Sequence, residues 1–123
     1  MYEELSPNEL RKVREAATLL TQSLSVHITI PELSIMVNLT EKKLQAGFMH
    51  LYNSGIYEYL VNARLEKVKE MLFQDLPLKW IALQIGYKDK SSLIKAFRNK
   101  YGMTPGQWKK QQAKNLINRE NRN

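Results

Sequence analysis

Residues 78–108, LKWIALQIGYKDKSSLIKAFRNKYGMTPGQW, decide the fold. The opening LKWIALQIGY reads as a short helix closed at Gly86, the residue type that enters a left-handed turn without steric cost. Asp89 then caps a second helix, in which Leu93, Phe97 and Tyr101 recur at helical spacing and face a core. Gly102 ends that helix. Thr104 followed by Pro105 opens another, expected to run through Trp108. Two short helices across a tight turn form the helix-turn-helix pattern.

Working outward, the same arrangement lies upstream. Thr29 and Pro31 open TIPELSIMV, with Glu32 in its first turn, and Asn38 suits a left-handed helix end. Thr40 caps TEKKLQAGFMHLY, whose inward stripe is Leu44, Phe48 and either Leu51 or Tyr52. Leu33, Val37, Asn38 and Glu41 match Ile81, Ile85, Gly86 and Asp89 at an offset of about 48 residues. After one extra residue, Leu44, Phe48, Tyr52 and Tyr59 match Leu93, Phe97, Tyr101 and Trp108 at about 49. This reads as an internal duplication. Ahead of it, Ser6, Pro7 and Glu9 form a capping-box start for a helix with Leu10, Val13, Ala17, Leu20 and Leu24 on one face. Between the copies, Tyr57 to Phe73 predicts a longer helix with Leu60, Ala63, Val68, Met71 and Leu72 inward, ending before Pro77. The expected organisation is all-α. Helix-turn-helix subdomains span 6–54 and 78–112, a linker helix spans 56–73, and a polar basic tail, frayed from Asn115, spans 113–123.

The 123 residues fit one domain, and 43% hydrophobic with 25% charged residues is ordinary for a globular chain. No apolar run approaches the roughly 18 residues of a membrane span, and the start has no signal-peptide pattern. No membrane partner is therefore expected. The absence of cysteine fits a reducing cytoplasm and excludes thiol chemistry. The net charge of +7 is unevenly placed: residues 1–30 carry about −1, residues 31–87 about zero and residues 88–123 about +8. Lys88, Lys90, Lys95, Arg98 and Lys100 fall within the helical pattern, which suggests a footprint for a polyanion.

In a helix-turn-helix, the outward residues near the start of the second helix meet base edges in the major groove. In the first copy these are Lys42, Lys43, Gln45 and Ala46, with Thr40 and His50 alongside. In the second they are Lys90, Ser91, Ile94 and Lys95, with Lys88 and Ser92 alongside. Lysine donates to guanine O6 and N7, glutamine pairs with adenine, and serine serves either role. Ile94 either touches a thymine methyl or packs against a neighbouring helix. Arg98, Lys100, Lys109 and backbone amides at the starts of the short helices are expected to hold phosphates. A linker of about 17 residues is about 25 Å long. With the breadth of the flanking units, this permits reading helices about 34 Å apart, one duplex turn. One chain then reads two successive groove segments, bending the DNA if needed.

ARLEKVKEML, IALQIGYKDKSSLIKAFRNKYGMTPGQW and LTEKKLQAGF together resemble the DNA-binding domain of AraC/XylS-type transcription regulators, from about Leu10 to Lys110. The most specific run is Ile81 to Trp108. The resemblance implies seven helices, two helix-turn-helix units and a connecting helix, commonly attached to a separate effector-sensing or dimerising domain. It implies base-reading roles for Lys42, Gln45 and Ala46, and for Lys90, Ser91, Ile94 and Lys95. It further implies transcription regulation, usually activation, with RNA polymerase as a partner. Departures are Ala46 where a basic residue is common, Leu93 for an aromatic, Trp108 for tyrosine, and Lys109 for arginine, which loses a bidentate fork.

An enzyme is disfavoured, since two histidines and no cysteine offer no metal-ligand cluster, and no phosphate loop or nucleophile elbow appears. No cofactor is expected. Trp80 and Trp108 are expected to fill core or surface grooves. The alternative is a helical protein-interaction module using the Met and Leu stripes, but those stripes sit at core spacing. RNA binding usually recruits exposed aromatics, whereas the aromatics here are expected on buried faces. The chain is either a piece of a longer regulator or stands alone.

Overall fold

Ser6 starts the first helix with a closed capping box. Its hydroxyl accepts from the Glu9 amide at 3.1 Å, and the Glu9 carboxylate accepts from the Ser6 amide at 3.0 Å. In the computed structural model, which describes residues 4–121, seven α-helices follow one another with no strand among the described residues. They are α1 (Pro7–Gln22), α2 (Ile30–Val37), α3 (Glu41–Tyr52), α4 (Ile56–Leu72), α5 (Leu78–Ile85), α6 (Lys90–Tyr101) and α7 (Pro105–Glu120).

The chain divides into two compact units between Ala63 and Arg64, inside α4. The helix expected as a separate linker is therefore shared. In the first unit, Val13, Ala16, Ala17 and Leu20 of α1 pack with Leu33 and Val37 of α2, Leu44 and Phe48 of α3, and Ile56 and Leu60 of α4. Burying such a Leu, Val or Phe is worth about 1.5–3 kcal/mol. Phe48, Tyr52 and Tyr59 close one end as a ring cluster, with centroids 4.6 to 5.4 Å apart. Both Leu51 and Tyr52 are half-buried, so the inward stripe of α3 takes both. In the second unit, Leu65, Val68, Met71 and Leu72 are buried, as are Ile81 and Ile85 of α5 and Leu93 and Phe97 of α6.

The two inter-helix turns have the same hydrogen-bond design. Asn38, at φ 53°, closes α2 with its amide on the Ile35 carbonyl, and the next amide, Leu39, bonds the Ser34 carbonyl. Gly86, at φ 106°, closes α5 with its amide on the Leu83 carbonyl, and the next amide, Tyr87, bonds the Ala82 carbonyl. These are paired Schellman motifs, and a left-handed closing residue makes both possible. The duplication thus extends to the backbone. Its register needs one correction: Thr40 and Asp89 are the equivalent caps of α3 and α6. The extra residue of the second copy therefore lies inside the turn, before the cap, and Glu41 corresponds to Lys90.

The last segment also differs from expectation. Residues 113–120 continue α7 as exposed helix instead of forming a frayed tail. Leu24 falls beyond α1, which ends at Gln22.

Candidate nucleic-acid interface

α6 owes its start to Asp89, whose carboxylate accepts from the Ser92 amide at 2.8 Å. That bond holds the Asp89 carboxyl below its ordinary range, so it stays ionised and supports the positive helix end. Ser92 is half-buried beneath this cap. Leu93 and Phe97 turn wholly inward, at 0% exposure. The opposite stripe is left outward: Lys90, Ser91, Lys95 and Arg98 are exposed, and Ile94 is half-buried. Ser91, Ile94, Lys95, Arg98 and Asn99 line one surface hollow. Asn99 was not among the expected residues, although its place four after Lys95 puts it on the same stripe. Lys88 is exposed in the turn before the cap.

α6 is held from behind by a charged aromatic cluster. The Lys69 ammonium lies 3.9 Å from the Tyr101 ring centre and 5.4 Å from that of Trp108. The Tyr101 hydroxyl donates to Glu66 at 3.0 Å, and burial together with that bond raises its pKa. Trp108 also meets Phe97 and Phe73, at 6.1 and 5.5 Å, so it packs as expected. Arg64, which neither the apolar stripe of α4 nor the base-reading positions pick out, is buried with its guanidinium 5.6 Å from the Tyr87 ring centre. Tyr87 is in the turn, so this contact braces the approach to α6 from α4. Lys100 stands 5.6 Å from the Tyr101 ring.

α3 is built alike but charged differently. The Thr40 hydroxyl accepts from the Lys43 amide at 3.2 Å, so its acceptor serves the cap. Lys42, Gln45 and His50 are exposed and Ala46 is half-buried. Lys43 departs from the outward orientation expected of it. Its ammonium reaches back to α1 and lies 2.6 Å from a Glu9 carboxylate oxygen. That ammonium and the Ser6 amide hold the Glu9 carboxyl down at about 2. Lys109, expected to hold a phosphate, instead contacts Asp75 at 2.8 Å. The turn ahead of α3 is tied down by Ser34, whose hydroxyl donates to the Leu39 carbonyl, and by Lys12, which donates to the Asn38 carbonyl at 3.0 Å. α5 begins at Leu78 after Pro77, and no side chain caps its first amides.

Two expectations about apolar residues are corrected. The aliphatic stripes are not wholly internal: Ile35 is 80% exposed, and Leu83, its equivalent in α5, is 51% exposed. Tyr57, Phe73 and Trp80 are likewise on the surface. No group of histidine, aspartate and glutamate with metal-binding geometry occurs among the described residues. No helix there is long and apolar enough to cross a membrane.

A family model described as a helix-turn-helix domain matches residues 33–111. A putative AraC-like transcription regulator of Streptomyces antibioticus is 32% identical over 99 residues, which are 80% of this chain and 33% of the relative. The chain spans about a third of the length of the curated relatives it matches. Among solved structures, the C-terminal domain of AraT, a response regulator from Geobacillus stearothermophilus, superposes with a TM-score of 0.76 at 24% identity, covering 89% of this chain and 88% of that one. The DNA-binding domain of the global transcriptional factor AdpA, solved with a target DNA, gives 0.72 at 17% identity, covering 79% and 88%. With both turns, both caps and the matched residues in agreement, the chain belongs to the AraC/XylS-type family of helix-turn-helix DNA-binding domains.

Proposed function

We propose that this chain binds double-stranded DNA with α3 and α6 in successive major-groove segments, and so regulates bacterial transcription, chiefly by activation. It has no catalytic role in this reading. The observation that carries it is the outer face of α6, where Ser91, Ile94, Lys95, Arg98 and Asn99 line one hollow, Lys90 is exposed at the helix start, and Leu93 and Phe97 are buried behind. Lys90, Ser91, Ile94 and Lys95 read bases. Arg98, Lys88 and the uncapped amides at the start of α5 hold phosphates. Lys42, Gln45 and Ala46 do the reading in α3, with fewer charges. The binding of AdpA to its target DNA supports the same use of the fold. Working in the cytoplasm, the regulator engages RNA polymerase, and a separate domain, where one is attached, senses an effector.

Selecting duplexes from a random pool and titrating the best one with salt tests the reading. The expected affinity falls log-linearly as salt rises. Lys90→Ala or Lys95→Ala weakens the selected site by about 1–3 kcal/mol. Binding indifferent to salt would favour the protein-interaction alternative, for which the exposed Ile35 and Leu83 are the specific support.

A further inference from the structure

We infer that Glu9 limits how much DNA charge the first unit neutralises, by holding Lys43 away from the phosphate backbone. The inference rests on the DNA-binding reading above. Lys43 is in the first turn of α3, beside Lys42 and two residues before Gln45, where a free ammonium would meet the duplex. It is instead turned back onto Glu9, 34 residues earlier in sequence, at 2.6 Å. The two side chains are only 32% and 21% exposed.

The pair is anchored at its acidic end. The other Glu9 oxygen accepts from the Ser6 amide at 3.0 Å and completes the cap of α1. Glu9 therefore cannot follow Lys43 outward without opening that cap, whereas Lys43 could leave only by giving up a short charged bond. A cation kept on a carboxylate neutralises no phosphate, so it releases none of the counterions condensed on the duplex. The second unit has no such device at the matching position, which is Ser92, and Lys90, Lys95 and Arg98 are exposed there. Glu9 is thus a positioning residue acting through Lys43. It leaves α3 to contribute by shape and hydrogen bonding, with less of the salt-dependent pull.

Glu9→Gln tests this, because glutamine keeps the acceptor that a capping box needs and removes the charge. Wild type, Glu9→Gln, Lys43→Ala and the double variant are titrated with salt on a selected duplex and on a random-sequence one. Glu9→Gln is expected to steepen the slope of log affinity against log salt by about 0.9, one added phosphate contact. Binding should be about fivefold tighter near about 0.15 M salt, on both duplexes. Lys43→Ala leaves the wild-type slope unchanged, and the double variant returns to it. An unchanged slope in Glu9→Gln overturns the inference, as does a gain that survives in the double variant, which would trace it to the field of Glu9 and not to Lys43. A wild-type chain that binds no duplex would overturn the DNA-binding reading and this inference together.

Discussion

Gly47 sets how closely α3 approaches α1. It is buried mid-helix, and a methyl group added there would overlap Val13 Cγ2 and press on Leu5. Helix propensity alone makes alanine better than glycine by about 1 kcal/mol. The overlap reverses the sign, so Gly47→Ala is expected to lose about 1–3 kcal/mol net, read as a lower denaturant midpoint. A raised midpoint would mean that the two helices are less closely apposed. Glu9 gives a second prediction at this scale. Its carboxyl is lowered from 4.5 to about 2, so its ion pair adds stability above pH 4.5 and loses it as pH falls toward 2. Thermal melts of wild type and Glu9→Gln should therefore differ near neutrality and converge as pH drops through that window. The caps at Ser6, Thr40 and Asp89 were legible because donor and acceptor are three residues apart. The Glu9–Lys43 and Lys109–Asp75 pairs span 34 residues, and no local pattern predicts them. Gly47 did carry a signal, since an uninterrupted helix that keeps a glycine needs a packing reason.

The helices themselves were legible wherever a cap, an apolar stripe and a closing Asn or Gly coincide. α7 was cut short because apolar periodicity fades after Trp108. Yet no proline or glycine follows Gly106, and the run KKQQAKNLINRE is rich in good helix formers. Propensity extends the helix where packing does not. Every residue from Ala113 to Asn121 is exposed, including Leu116 and Ile117. Deleting residues 113–123 is accordingly expected to change unfolding stability by about 0.5 kcal/mol or less, with far-UV ellipticity reduced. A large loss of stability would show that this end of α7 packs on something. Arg64 and Leu65 were not legible as buried residues, because α4 serves two cores and its inward stripe shifts around the helix at Ala63.

Across the whole molecule, the charge of about +8 over residues 88–123 makes the second half the basic one. Sequence position could not show which of those cations face outward. Lys109 is engaged by Asp75, whereas Lys90, Lys95 and Arg98 are exposed on one stripe of α6. The equivalent α3 positions are Glu41, Ala46 and Met49, so the two copies share a backbone and differ in electrostatics. The second unit should then carry most of the salt dependence, and the first most of what is insensitive to salt. The central claim, that one chain engages duplex DNA with two reading helices, is tested most directly by hydroxyl-radical footprinting of the chain on a selected duplex, at a concentration where sedimentation gives a monomer. Two protected patches with centres about 10–10.5 base pairs apart are predicted, with Lys90→Ala/Lys95→Ala erasing one of them. A single patch, erased entirely by that variant, would contradict it.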